Sequence, residues 1–203
     1  MIAVLDYGIG NLRSAQKALQ RASDLEVRLV TEPAGADGAR AVVLPGVGAF
    51  GRCMEALRRS ALDVVAKDAI NAGLPFLGIC VGMQMLYEAS DEDPHVAGLG
   101  VLPGRIRLLP DTVKRPQMQW NRLRLTRDGG PVFDATSDGQ WVYFVHSYAA
   151  PLDDHVIATV DYGGDVVAAV EAGPLWATQF HPEKSGAAGL RILGRFAALA
   201  ADR

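Results

Sequence analysis

Cys80 stands in the run Phe76-Leu77-Gly78-Ile79-Cys80-Val81-Gly82-Met83-Gln84, where an apolar, strand-like segment ends in Gly-x-Cys-x-Gly and a helix-forming stretch follows at once. This is the nucleophile-elbow pattern with sulfur in place of oxygen. The flanking glycines fit because a nucleophile on a tight strand-to-helix turn leaves no room for a Cβ on either side. At a helix N-terminus, unpaired N–H groups and the helix dipole favour thiolate over thiol. A thiolate so placed attacks carbonyl carbon. Most free cysteines are packing residues; the position between two glycines at a strand end points instead to a nucleophile.

A nucleophile needs a base. Leu175-Trp176-Ala177-Thr178-Gln179-Phe180 reads as a buried strand and leads directly into His181-Pro182-Glu183-Lys184-Ser185. Pro182 biases His181 toward an extended conformation. In an extended segment residues two apart face the same side, so His181 and Glu183 are expected to align. A carboxylate there selects one imidazole tautomer and stabilises the imidazolium that forms in catalysis. Cys80, His181 and Glu183 therefore compose a candidate triad, whereas His95 and His155 read as histidines without a catalytic role. An oxyanion site is the third requirement. The short strand Ala41-Val42-Val43-Leu44 runs into Pro45-Gly46-Val47-Gly48-Ala49-Phe50-Gly51. Gly46 to Gly51 fits G-x-G-x-x-G, but it does not follow the first strand, and Asp63 and Asp68 fall in a helical pattern, so a dinucleotide site is rejected. The loop is read instead as a source of backbone donors, from Val47 or Gly48, with the amide of Val81 as their partner.

PGVGAF, FLGICVGMQML and QFHPEKS together resemble the class I (triad) glutamine amidotransferases over nearly the whole chain. DYGIGNLRS, PGVG, MQWN and YFVHSY are most similar to the glutaminase subunits of imidazole glycerol phosphate synthases. The resemblance implies that Cys80 attacks the side-chain amide of glutamine, that His181 protonates the departing ammonia, and that a glutamyl thioester is then hydrolysed. It nominates Gly46, Gln84, Glu92 and the His146-Ser147-Tyr148 backbone as substrate contacts. Met118 and Trp120 are core residues by base rate, but set among Pro, Gln and Asn on a polar loop they suit an anchor at a partner surface; Asn11 is assigned to the same surface, near which Gln119 replaces the glycine of many relatives. The implied partner is a (β/α)₈-barrel cyclase subunit in a heterodimer, receiving ammonia through a channel. No cofactor or metal is implied. Val47 lies between two glycines, which lets the loop peptides rotate; the isolated chain is therefore expected to be a poor glutaminase, switched on by the cyclase with its nucleotide bound. Three rival readings are a glutaminase serving pyridoxal phosphate or purine synthesis, a stand-alone γ-glutamyl hydrolase or cysteine peptidase, and a non-catalytic module.

These groups need a scaffold. Ile2–Leu5, Val27–Val30, Ala41–Leu44 and Phe76–Ile79 read as strands alternating with helices: one begins at Asn11, one carries Met54, Leu57, Ala61, Val64 and Val65, and one spans about Gly82 to Ala89. From about Gly98 the pattern becomes β-rich, with pieces at Arg105–Leu109, Leu123–Thr126, Trp141–Ser147, Val156–Val160 and Val166–Val170, turns at 128–131 and 162–165, and a closing helix over Ala187–Ala201. The expected fold is α/β: a three-layer, open, mostly parallel sheet of flavodoxin type flanked by helices, with an additional β-rich portion, all in one domain over 1–203. The 203 residues are 49% hydrophobic with a net charge of −3, which gives no basic footprint for nucleic acid. No apolar run approaches membrane-spanning length and no signal peptide is evident. Two cysteines without a zinc spacing fit a cytoplasmic protein. Cys53, in the helix after the glycine loop, reads as packing.

Overall fold

Strands buried on both faces must be apolar throughout, as Ile2–Leu5, Ala41–Gly46 and Phe76–Cys80 are. The computed structural model describes residues 1–127 and 130–201. Its first half comprises β1 (Ile2–Leu5), α1 (Leu12–Ala22), β2 (Val27–Val30), β3 (Ala41–Gly46), α2 (Phe50–Arg59), α3 (Leu62–Asn71), β4 (Phe76–Cys80) and the single turn α4 (Val81–Gln84). There follow β5 (Tyr87–Ser90), β6 (Leu102–Leu108), β7 (Gln117–Arg122), β8 (Arg124–Leu125), β9 (Trp141–His146), β10 (Tyr148–Ala149), β11 (Val156–Asp161), β12 (Asp165–Ala172), β13 (Leu175–Thr178) and α5 (Gly186–Ala201).

The main sheet has the order β2-β1-β3-β4-β13-β12-β11-β8. Pairing is parallel from β2 through β13 and antiparallel beyond it. Strand order reverses between β1 and β3. Right-handed crossovers running in opposite directions put α1 on one face and α2 with α3 on the other. α1 packs on α5, and α2 on α3. The protein is thus an α/β fold with a large mixed sheet between helical layers. Ligands bind such sheets at the carboxyl ends of the strands beside the reversal. Two smaller sheets, β10-β6-β5 and the ribbon β7-β9, form the additional β-rich portion. Phe180 is locked between Phe133 and Phe144, with ring centroids at 6.3 and 5.8 Å, which joins the end of β13 to the ribbon. No described helix is long and apolar enough to cross a membrane.

Several elements depart from the sequence pattern. The helix carrying Met54 to Val65 is two helices, broken at Ala61, whose φ of 56° is left-handed. The helix expected over Gly82–Ala89 stops at Gln84, because the backbone beyond is taken by β6 and by Gly98, whose N–H donates to Glu88 O at 2.8 Å. The stretch 118–121, outside the strands expected from the sequence, lies in β7, paired antiparallel with β9. The turn at 162–165 joins β11 to β12; the one at 128–131 falls partly outside the described residues.

Candidate active site

Three neighbouring parallel strands deliver the chemistry. In register, Gly46 of β3 lies beside Cys80 of β4, and Ile79 lies beside Thr178 of β13. The glycine loop, the thiol and the histidine segment therefore leave the same edge of the sheet side by side. Cys80 has φ 56° and ψ −113°, a left-handed φ rare for a side-chain-bearing residue. Gly82 permits this turn, since a Cβ on it would stand 1.8 Å from Leu44 O of the adjacent strand. With α4 only one turn long, the helix dipole contributes less at the thiol than a full helix would. A donor that the motif reading passed over lies closer. Gln179 Nε2 is 3.8 Å from Cys80 Sγ, and Gln179 Oε1 accepts from Gln84 Nε2 at 3.0 Å. Gln84 Nε2 also donates to Tyr148 O at 3.1 Å, so the two amides fix each other.

His181 Nδ1 and Glu183 Oε1 are 2.8 Å apart and nearly free of solvent. The alignment does not come from an extended chain: Pro182–Lys184 is a 3₁₀ turn, with only His181 itself extended. The turn is held on β9, where His181 N donates to Tyr143 O at 3.0 Å and Ser185 Oγ accepts from Tyr143 N at 3.0 Å. Burial alone would keep the imidazole neutral. The Cys80 sulfur and the Glu183 carboxylate outweigh it and raise its pKa from 6.5 to about 9. His181 Nε2 makes no hydrogen bond of ordinary geometry, although Cys80 is the stronger of the raising influences. That nitrogen faces the sulfur without being spent on another partner.

A cavity of about 430 Å³ opens over the thiol. It is lined by Asn11, Val47, Gly48, Cys80, Val81, Gln84, Glu92, His146, Ser147, Tyr148 and His181 from the sequence reading, and also by Pro116, Val145 and Lys184, which that reading did not single out. Gly46 lies beneath it, where a Cβ would come within 2.7 Å of Gly82 N. Glu183 stands behind His181. Glu92 offers a carboxylate to the cavity while Oε2 accepts from Phe50 N at 2.8 Å, fastening the start of α2. Asn11 occupies the N-cap position of α1 without a side-chain cap bond, and reaches the cavity. His146 braces the bend from β9 to β10. Burial pushes its imidazole down to about 4, so the ring is neutral. Its Nδ1 lies 2.8 Å from Tyr148 O and must carry the proton, so Nε2 accepts; Gln117 Oε1 stands 3.0 Å from it, and turning that amide end for end brings its otherwise unpartnered NH₂ to Nε2 as the donor.

The face of the ribbon beside this cavity is apolar and exposed. Met118 is 62% and Trp120 48% exposed, and Trp141, which the sequence reading missed as a surface group, is 56% exposed. Trp120 sits against Tyr143 at 6.0 Å between centroids, and Tyr143 against His181 at 6.4 Å. Strand alternation turns Gln119 to the opposite face, across from Phe144, rather than to the surface that Trp120 presents. His95 and His155 do not line the cavity.

The model of the family described as glutamine amidotransferase class-I matches residues 3–198. The imidazole glycerol phosphate synthase subunit HisH of Synechococcus sp. (strain JA-3-3Ab) is 48% identical, the match covering 100% of this chain and 95% of the relative. The protein of the same name from Halobacterium salinarum is 49% identical, over 100% and 94% of the two chains. Among solved structures, one described as a glutamine amidotransferase superimposes with a TM-score of 0.77 over 98% of each chain, at 22% identity. At that identity the likeness shows the fold alone.

Proposed function

Because the chain belongs to the class I glutamine amidotransferases, and within them to the family of the imidazole glycerol phosphate synthase subunit HisH, we propose that it is the glutaminase subunit of such a synthase. The observation that carries this reading is the convergence of Cys80, the Gly46–Gly48 loop and the His181–Glu183 pair at adjacent strand ends above one cavity.

Glutamine enters with its side-chain amide over Cys80 and its ammonium group toward Glu92. The thiolate attacks the amide carbon, and the carbonyl oxygen becomes an oxyanion. N–H groups of the Val47–Gly48 loop and of Val81 stabilise it. Protonated His181, its charge balanced by Glu183, gives a proton to the amide nitrogen as the C–N bond breaks, and ammonia leaves. A glutamyl thioester remains on Cys80. His181, now neutral, takes a proton from water, whose oxygen attacks the thioester; collapse releases glutamate and restores the thiolate and the imidazolium.

Ammonia freed into water is protonated and lost, so the reaction needs a receiver. The relatives are named as subunits, which supports a partner. The exposed Met118, Trp120 and Trp141 beside the cavity suit a surface that docks it. The proposed partner is a (β/α)₈-barrel cyclase that uses ammonia on a phosphoribulosyl formimino-carboxamide ribonucleotide, forming imidazole glycerol phosphate and aminoimidazole carboxamide ribonucleotide in cytoplasmic histidine biosynthesis. Cys80→Ala tests the assignment. In complex with the cyclase it should lose glutamine-dependent turnover and keep turnover on added ammonia. Glutamine-dependent turnover surviving without the thiol would rule the mechanism out.

A further inference from the structure

Two single-proton donors lie under the glycine loop, and the mechanism above uses neither. Tyr7 comes from the segment after β1 and Cys53 from the first turns of α2; both are buried, Cys53 completely. The Tyr7 hydroxyl donates to Pro45 O at 2.6 Å, and the Cys53 thiol donates to Val47 O at 3.3 Å. A carbonyl oxygen cannot donate, so each side chain must supply the proton of its own bond. Burial pushes the Cys53 thiol up to about 11 and the Tyr7 phenol well above its usual value, which keeps both protonated at neutral pH. The two side chains also touch one another, but each has one proton, and the carbonyls take it.

The carbonyls of Pro45 and Val47 belong to the peptides on either side of the Gly46–Val47 peptide. In a trans peptide the N–H points opposite to its C=O. Drawing Val47 O toward Cys53 therefore turns the Gly48 N–H away from α2, and Gly48 lines the cavity over Cys80. Its φ of +93° suits a glycine only. Resting on the glutaminase reading, we propose that Tyr7 and Cys53 are positioning residues, which pin the loop from beneath by the carbonyls of Pro45 and Val47 and so hold its amides in place for the oxyanion. The motif reading gave Cys53 packing alone; its reach to the loop appears only once α2 is folded back under it.

Two electrophiles separate this role from a merely structural one. A diazoketone analogue of glutamine places a ketone where the amide carbonyl would lie, so its attack by Cys80 draws on the oxyanion donors. Iodoacetamide alkylates by displacement and develops no oxyanion. Cys53→Ala and Tyr7→Phe should each slow inactivation by the diazoketone about two- to fivefold, the scale of one hydrogen bond to a neutral acceptor. Alkylation by iodoacetamide should stay at the wild-type rate, and Cys53→Ser, which keeps a donor, should recover most of the loss. Unchanged diazoketone rates would overturn the proposal. So would a parallel fall with both electrophiles, or a serine variant as slow as the alanine. A wild-type complex with the cyclase that hydrolyses no glutamine would instead overturn the functional reading on which the proposal rests.

Discussion

Replacing Glu183 by Gln should uncouple His181 from its counter-charge while leaving an acceptor for Nδ1. The two side chains are only 2% and 3% exposed at 2.8 Å, so solvent screens little of their attraction. Burial favours the neutral ring, and the sulfur of Cys80 and the carboxylate of Glu183 together raise its pKa from 6.5 to about 9. The folded value lies above the unfolded one. The protonated ring thus adds stability that is fully present below about pH 6.5 and is lost as pH rises through about 9. A shift of that size corresponds to roughly 3 kcal/mol, shared between the two partners. With the charge gone and burial unchanged, the imidazole should titrate at least about one unit lower, and the imidazolium proposed to protonate the departing amide nitrogen should become scarce. The comparable loss of the carboxylate in serine triads costs about 10⁴ in turnover, so a fall in glutamine-dependent kcat of about 10² to 10⁴ is expected, with ammonia-dependent turnover intact. Imidazole titration by NMR and chemical melts from about pH 6 to about pH 10 complete the test. The stability gap between variant and wild type should close toward the upper end. A constant gap across that range, or a kcat within threefold of wild type, would refute the reasoning.

Trp120→Ala should weaken docking of the proposed cyclase partner more than folding: with 48% of the residue exposed, covering about 120 Å² of it is worth about 2 to 3 kcal/mol. Titration calorimetry should register this while the free chain melts near the wild-type temperature, and an equal loss in the free chain would place the ring's value in the core. Gln179→Leu removes the amide 3.8 Å from Cys80 Sγ and the acceptor of Gln84. It should lower the rate of Cys80 alkylation and kcat about tenfold, in line with one or two lost polar contacts, and an unchanged alkylation rate would deny Gln179 any hold on the sulfur. Gly82→Ala forces a Cβ to 1.8 Å from Leu44 O, a backbone atom of β3 that cannot swing aside. The variant should fail to give a folded, soluble chain, and a folded protein with an alkylatable Cys80 would show that the elbow yields more than the structure implies.

The parallel half of the sheet was legible because its strands have both faces covered and so read as unbroken apolar runs: Ile2–Leu5, Ala41–Leu44 and Phe76–Ile79. What escaped was decided elsewhere in the chain. Nothing around Ala61 announces a left-handed residue, since neither Gly nor Pro is there, and the apolar spacing continues across the break. Glu88 and Ala89 suit a helix locally but are drawn into β5 by its pairing with β6. β7 did carry a signal. Gln117-Met118-Gln119-Trp120-Asn121-Arg122 alternates with a period of two, as a strand does, and its apolar members face outward, which hides the alternation when strands are sought as core.

The same division runs through the site. The elbow, the glycine loop and His-Pro-Glu each make a tight turn, and tight turns write themselves into consecutive residues. Contacts between turns do not. Gln179 and Cys80 are 99 residues apart and meet only because β13 inserts beside β4. A right-handed crossover leads from β3 to β4 and makes those two neighbours by rule. β13 reaches β4 by another route, as the last strand of an antiparallel return through β11 and β12. Its place decides that the histidine segment emerges on the far side of Cys80 from the glycine loop. The sulfur then has the proposed base on one flank and the proposed oxyanion donors on the other, as attack on a planar amide requires: the proton must reach the departing nitrogen while the oxygen turns to the opposite side. Strand order, more than any single motif, is what makes the three turns one site.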